Sequence, residues 1–183
     1  MTVLRNRLLV RVTAPAIEPI TLSEAKLYLR IDHANEDVLI SDLIVAARLT
    51  AEHWLKRSLI TQAWKLAYDD YAAETLSLPM GPVNSITSIM IVNRDNSTQV
   101  IDNSVYYLNA AKDTLIFDMA LIGFRVEITY STGYGNAAAV PKAIKQGMLV
   151  HIASMYENRG EACEYSIPDQ TIRLYTPFRE ICL

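Results

Sequence analysis

Apolar residues recur every three or four positions between Glu36 and Arg57, which predicts an amphipathic helix. The apolar stripe of this helix comprises Ile40, Leu43, Ile44, Ala47, Ala51, Trp54 and Leu55. Asn35 is a candidate N-cap, and Glu36 and Asp37 would complement the positive end of the helix dipole. The segment therefore predicts a long helix that buries one face.

Two further helices are predicted on either side of the central part of the chain. Thr21 and Glu24 have the spacing of a capping box, and the apolar positions that follow predict a short helix over 22–29. Pro141 suits the first turn of a third helix, which should end near 158–160. The buried stripe predicted for this helix comprises Ile144, Gly147, Met148, His151, Ile152 and Met155.

Between the second and third helices the apolar period changes to two, which predicts strands. Alternation is clear from Gln62 to Tyr68, and an earlier strand is predicted over 8–13. Further short strands are predicted at 75–78, 86–92, 98–101, 106–109, 114–117 and 124–130. Turn residues separate these runs, so the region predicts an antiparallel meander of about five to seven strands.

The fold class predicted from these elements is α+β. We expect a helical core of two long helices and one short helix, with an inserted antiparallel β meander and an extended C-terminal tail. The chain of 183 residues is long enough to bury one real core. We expect a single domain over 1–183, with a helical part at 21–58 and 141–160, a β insertion at 60–135 and a C-terminal docking tail at 161–183.

Composition narrows the possible functions. A chain with 51% hydrophobic and 20% charged residues is typical of a folded protein. A net charge of −3 does not supply the basic field of a nucleic-acid-binding protein.

No segment reaches the roughly 18 apolar residues of a membrane span, and Arg7 and Arg11 interrupt the N-terminal apolar run that a signal peptide would need. Cys163 and Cys182 show no metal-binding spacing, so we expect reduced thiols and cytosolic assembly.

Candidate catalytic and metal-binding groups are few. His33, His53 and His151 have no carboxylate or cysteine at a metal-ligand spacing, so we expect no metal and no cofactor. Asp69 and Asp70 are adjacent and would point to opposite faces of a strand, so we interpret them as a solvated turn rather than an acid and base pair. The sequence therefore predicts a protein that is not an enzyme.

The two ends of the chain carry candidate contact residues. Arg5, Arg7 and Arg11 could touch phosphate or could form the solvent side of a strand. The tail holds many apolar side chains in a short, proline-broken segment, namely Tyr165, Ile167, Ile172, Leu174, Tyr175, Pro177, Phe178, Ile181 and Leu183. Such a segment must dock on something. It could pack on its own domain or on a neighbouring subunit or partner, and the sequence leaves both open.

In its order of elements the chain resembles the head-tail connector (adaptor) proteins of tailed bacteriophages, including prophage and gene-transfer-agent adaptors. The resemblance covers nearly the whole chain. It is carried by LSEAKLYLRID, DVLISDLIVAARLTAEHWLKRSLITQAW, VEITYSTGYG, VPKAIKQGMLVHIASMYENRG and IRLYTPFRE.

The resemblance implies a structural virion protein located at the head-tail interface. Its copies would form a ring matched to the twelvefold portal protein above and to a stopper or tail-completion protein below, and DNA would only pass through the central channel. The residues that would contact the portal or a neighbouring protomer are Leu174, Tyr175, Pro177, Phe178 and Arg179. The alternatives are a tail-terminator or minor tail protein and a prophage DNA-binding module.

Overall fold

The computed structural model describes residues 7–158 and 167–179. The chain divides into two compact units. The helical unit combines Ala16–Ile60 with the described residues from Tyr134 onward, and the β unit combines the described residues up to Pro15 with Thr61–Gly133. Each unit is therefore built from two separate stretches of sequence.

The helical unit contains four α-helices among the described residues. They are α1 (Leu22–Leu29), α2 (Asp37–Leu55), α3 (Lys142–Glu157) and α4 (Asp169–Tyr175), and α4 continues into a 3-10 turn at Thr176–Phe178. The predicted bounds of α1 are confirmed. The helix predicted to run to Arg57 ends at Leu55, because Lys56 adopts the left-handed conformation with φ 58°. The N-cap of α2 is Glu36 rather than Asn35, and among the described residues no side chain forms a capping hydrogen bond to this helix.

A capping box opens α1 as the sequence predicts. The Thr21 hydroxyl accepts a hydrogen bond from the Glu24 backbone N–H at 3.2 Å, and the Glu24 carboxylate accepts one from the Thr21 N–H at 2.7 Å. The Thr21 N–H, with help from the Lys145 ammonium, holds the pKa of Glu24 below its ordinary value although partial burial opposes the shift. Lys145 reaches Glu24 at 3.0 Å, so the same carboxylate ties α3 to the start of α1.

The core of the helical unit lies where α2 and α3 pack together. The buried stripe predicted for α3 is confirmed at all its positions, including Gly147 and His151. The fully buried aliphatic and aromatic residues of this core include Ile20, Ile40, Ala47, Leu55, Leu59, Ile144, Met148, Ile152 and Tyr175. Burying each large side chain contributes about 1.5–3 kcal/mol, so this cluster dominates the stability of the unit.

A buried ion network braces α2. Arg48 contacts Glu18 at 2.7 Å and Glu52 at 3.2 Å, and the side chains of Arg48 and Glu52 are only 6% and 4% exposed. Glu52 also accepts a hydrogen bond from the Leu59 backbone N–H at 2.9 Å. The second oxygen of Glu52 therefore fixes the chain just after α2 ends.

Over its described residues, the β unit is one six-stranded antiparallel sheet. Its strands are β1 (Arg7–Thr13), β2 (Gln62–Ser77), β3 (Val83–Val92), β4 (Thr98–Val100), β5 (Tyr106–Leu108) and β6 (Thr114–Thr132). The order is β1-β2-β6-β3-β4, and β5 pairs with the first residues of β6, from Leu115 to Phe117. The antiparallel sheet is confirmed, but its strands do not follow chain order as a simple meander would, because β6 lies between β2 and β3.

Two of the strands are longer than the sequence indicates. Asp69 and Asp70 lie inside β2, so their interpretation as a solvated turn is wrong. Asp69 is opposite Arg125 in the ladder and contacts it at 2.8 Å, whereas Asp70 takes a positive φ of 50°. An ion pair across the strands and one left-handed residue thus accommodate two carboxylates that a strand would otherwise disfavour. β6 likewise continues through the predicted gap between 117 and 124, with a register shift opposite Ala73 and Thr75.

One face of the sheet forms the core of the β unit. Its fully buried members include Leu66, Leu78, Val83, Ile89, Leu115, Val126, Ile128 and Tyr130. The Tyr130 hydroxyl donates to the Pro79 carbonyl at 3.0 Å, which satisfies the polar end of a buried ring. The other face carries the Lys65–Glu127 and Asp69–Arg125 ion pairs.

Candidate partner-binding surfaces

The described part of the C-terminal tail packs on its own helical unit. Thr171 at the start of α4 donates a hydrogen bond to the Gly147 carbonyl of α3 at 3.1 Å. The Tyr175 side chain at the end of α4 is fully buried over Gly147. A Cβ added at Gly147 would lie 3.0 Å from Cδ1 of Tyr175 and closer still to Cε1. Gly147 therefore provides the hole in α3 that receives the Tyr175 ring.

Aromatic and cationic groups complete this docking. The rings of Trp54 and Tyr175 lie 6.0 Å apart with an interplanar angle of 47°, and the Arg179 guanidinium lies 4.8 Å from the centre of the Trp54 ring. A cation over tryptophan at such a distance is favourable. Burial raises the pKa of Tyr175, whose hydroxyl has no hydrogen-bond partner among the described residues. Because an unsatisfied buried hydroxyl costs about 1–3 kcal/mol, the segment is held less tightly than its apolar contacts alone would allow.

The five tail residues predicted to bind a partner are placed differently by this packing. Tyr175 is buried, Leu174 and Phe178 are half-buried against the helical core, and Pro177 and Arg179 are exposed. Of the two alternatives for the tail, residues 167–179 show the first, because they pack on their own helical unit. Partner binding stays a prediction for these positions. The tail residues Tyr165, Ile181 and Leu183 lie outside the described residues.

The solvent side of α2 carries an apolar stripe that the sequence analysis did not single out. Val38, Val45 and Leu49 are 78%, 37% and 43% exposed. They lie with Asp42 on one face of the helix, because positions 38, 42, 45 and 49 are spaced by three or four residues. Asp42 forms no ion pair or hydrogen bond with any described residue. We call these four residues the α2 surface.

An apolar groove continues the α2 surface toward the start of the helical unit. The groove has a volume of about 410 Å³ and is lined by Ile17, Ile20, Leu22, Ile44, Val45 and others. Ile17 remains 49% exposed in this groove. The exposed apolar area is therefore contiguous from α2 to the segment before α1, and contiguous apolar area of this kind marks interaction sites.

A second apolar surface lies on β1, at the edge of the β unit. Leu8, Val10 and Val12 alternate along one face of the strand and are 62%, 46% and 56% exposed. Together with Arg7 they line an open hollow of about 590 Å³. Arg7 has no ion-pair partner among the described residues. We call these four residues the β1 surface.

The remaining charged groups of this hollow are paired. Lys65 contacts Glu127 at 2.5 Å, and Asp69 contacts Arg125 at 2.8 Å. The sequence predicts β1 as a strand, but only the sheet order places it at an edge and only the register places Leu8, Val10 and Val12 on the face opposite the core. Of the predicted N-terminal basic cluster, Arg7 and Arg11 are exposed on this strand, and Arg5 lies outside the described residues.

The histidines lie apart from these surfaces or inside the core. His33 and His53 are exposed, and His151 is buried on α3, where burial lowers its pKa. Over 7–158 and 167–179, no three histidine, cysteine, aspartate or glutamate side chains are grouped to hold a metal ion. No helix in the same residues is long and apolar enough to cross a membrane.

Comparison with known proteins gives one family and several solved structures. The model of the family described as head completion protein matches residues 18–166. A chain in the neck of an empty gene transfer agent (GTA) particle, computed with C6 symmetry, is 22% identical with a TM-score of 0.82, covering 96% of this chain and 97% of that one.

Two further structures show the same likeness. A chain in the virion of a native GTA particle gives the same identity, coverage and TM-score of 0.82. A chain in the neck of a native GTA particle, computed with C12 symmetry, is 22% identical at the same coverage, with a TM-score of 0.78. At this identity the likeness establishes the fold. Among curated proteins, none gives a significant match to the chain.

Proposed function

Because the chain belongs to the head completion protein family, whose role is structural and joins the head of a virion to its tail, we propose that its copies close into a ring beneath the portal protein. The ring would connect the portal to a stopper or tail-completion protein below. The observation that carries this proposal is the family match over residues 18–166. The neck structures of the same fold, computed with sixfold and twelvefold symmetry, support a ring with twelve copies.

Two exposed apolar surfaces on different units support ring formation. A ring that closes by rotation joins copies through two different surfaces of each protomer. The α2 surface lies on the helical unit and the β1 surface lies on the β unit, so one chain offers two distinct surfaces. A stable contact of this type buries roughly 1,000 Å² or more in total. The three aliphatic residues of each surface would contribute part of this buried area.

The charge of the chain suits a channel that DNA passes without being held. A net charge of −3 does not supply the basic field that would release counterions from DNA on binding. We therefore propose that DNA contacts the ring only in transit. The protein would be assembled in the cytoplasm of the bacterial host and would reside at the head-tail interface of the virion.

We propose that the exposed part of the tail segment contacts the portal or a neighbouring protomer. Pro177 and Arg179 are exposed, and Leu174 and Phe178 each keep part of their surface accessible. Tyr175 would act from inside, by fixing this segment to α3. The Arg179 guanidinium also contacts Trp54, so an acidic partner group would add an ion pair to a cation that is already oriented.

The test is the light-scattering mass of the purified chain, alone and mixed with its cognate portal. We expect a complex whose added mass equals twelve copies. A chain with Pro177→Ser and Arg179→Glu should lose this complex, whereas Arg173→Glu, at an exposed position of α4, should keep it as the matched control. These changes remove the Arg179 contact with Trp54 but keep the Tyr175 ring over Gly147, so they are sharper than a cut after Gly160, which would remove Tyr175 and uncover α3.

Two outcomes would count against the proposal. Wild-type protein that stays monomeric and ignores the portal would refute the ring and favour a tail-terminator, minor tail or DNA-binding role. A portal complex that survives the paired change at Pro177 and Arg179 would refute the contact made by the tail segment while leaving the ring itself in place.

A further inference from the structure

We propose that the α2 surface of one copy docks on the β1 surface of the next copy, with Asp42 paired to Arg7 across the contact. This inference deepens the ring proposed above and rests on it. It assigns the two faces of the protomer contact to particular residues. The occupant of each surface is thus a second copy of this chain.

The first argument is that both surfaces expose aliphatic groups that have no cover within the described chain. Val38 is one of the most exposed large apolar residues of the helical unit, and Leu8 is among those of the β unit. Large apolar side chains that line one face of an element gain about 25 cal/mol for each Å² removed from water. Covering one surface with the other would bury both apolar sets in a single step.

The second argument is that the two surfaces match in length. Val38 and Leu49 are eleven positions apart on a helix that rises 1.5 Å per residue, so the α2 surface is about 16 Å long. Leu8 and Val12 are four positions apart on a strand that rises about 3.3 Å per residue, so the β1 surface is about 13 Å long. With Asp42 opposite Arg7, the part of the helix from Asp42 to Leu49 would extend about 10 Å along β1 and place Val45 and Leu49 over Leu8 and Val10.

The third argument is charge. Asp42 lies between Val38 and Val45 and has no partner among the described residues. Arg7 precedes Leu8 at the start of β1 and lines the same hollow, although strand alternation places it on the other face, and it likewise has no partner among the described residues. The other charges of the β1 hollow already form pairs. Covering either charge alone would leave it buried and unpaired, which is costly, whereas joining them offsets the loss of water.

The same charges argue against two alternative contacts between copies. A two-fold contact between β1 surfaces would leave each Arg7, at the start of the strand, without an acidic partner, and one between α2 surfaces would bring Asp42, in the middle of its stripe, near its own copy. Like charges at such a contact repel and disfavour it. Contact between the α2 and β1 surfaces instead places opposite charges together and is heterologous, which is the arrangement that closes a ring.

The test is a charge exchange on the full-length chain, read as the mass of the ring formed with the cognate portal. Asp42→Arg and Arg7→Asp should each weaken ring formation at least about tenfold, because the lost pair becomes a repulsion at every protomer contact. The double variant carrying both changes should recover ring formation. Asp118→Arg and Lys112→Asp reverse charges at other exposed positions and should leave the ring unchanged. Circular dichroism and melting temperature confirm that each variant folds.

Recovery in the double variant would support a second copy as the occupant. A ring that forms normally in either single variant would overturn the proposed contact and leave the ring itself intact. Loss in both single variants without recovery in the double would also overturn it, because the surfaces would then face the portal or another partner. Failure of the wild-type protein to form any ring would instead refute the proposed function, and this inference with it.

Discussion

Replacing Gly147 by alanine tests the docking of α4 on α3, because its effect should change sign with the residue at position 175. In the wild-type protein the new methyl would stand 3.0 Å from Cδ1 of Tyr175 and closer to Cε1, so the buried ring must move. Such overpacking costs about 1–3 kcal/mol. Alanine in a helix interior is favoured over glycine by about 1 kcal/mol, so we expect a net loss of about 0–2 kcal/mol.

The Tyr175→Ala background is the matched control for this substitution. With the ring removed, only the helix preference of alanine remains, so Gly147→Ala should stabilise by about 1 kcal/mol. The coupling between the two positions should therefore be about 1–3 kcal/mol, which urea unfolding followed by circular dichroism resolves. With Trp64 replaced by phenylalanine, the fluorescence of Trp54 reports separately on undocking, since Trp54 contacts Tyr175. Equal stabilisation by Gly147→Ala in both backgrounds would refute the seating of Tyr175 over Gly147.

Three further substitutions probe the helical unit. Thr21→Ala removes the cap of α1 and should lower the melting temperature by an amount equivalent to about 0.5–2 kcal/mol. If Glu24→Gln cost as much stability in the Thr21→Ala variant as in the wild-type protein, the two residues of the capping box would not be coupled. Glu52→Ala leaves the buried Arg48 with one partner and should cost about 3–5 kcal/mol in urea unfolding, so a cost below 1 kcal/mol would contradict the buried network. Burial lowers the pKa of His151 in the folded protein. As the pH falls below about 6.5, His151 is therefore protonated in the unfolded chain before it is protonated in the folded one, and the stability of the wild-type protein decreases. His151→Phe should lessen that fall between about pH 7.5 and 5.5, and an unchanged fall would contradict it.

The helices could be predicted from the sequence because their signals are local. The Thr21 and Glu24 spacing fixes the start of α1, and the three-to-four spacing of apolar residues fixes the inner faces of α2 and α3. The end of α2 was predicted too late, because the left-handed turn at Lys56 depends on no residue type that marks it. Lysine is uncommon at positive φ, so the residue at position 56 does not indicate the end of the helix.

The long strands and the partner surfaces depend on contacts between distant residues. Asp69 and Asp70 indicate a turn by composition, yet Arg125, 56 positions away, keeps the first of them in a strand. The place of Tyr175 depends on a missing side chain at Gly147, which sequence spacing alone does not connect to the tail. The α2 surface lies opposite the buried stripe, and the apolar spacing that predicts the helix does not indicate a second apolar face exposed to solvent.

The division of the helical unit between two stretches of sequence has a consequence for the timing of synthesis. The buried face of α2 is covered by α3, and α3 begins roughly 90 residues after α2 ends, so at about 5–20 residues per second a nascent chain carries an uncovered α2 for several seconds. All described strands of the β unit leave the ribosome before α3 does. A chain released early could therefore complete its sheet but never its helical core.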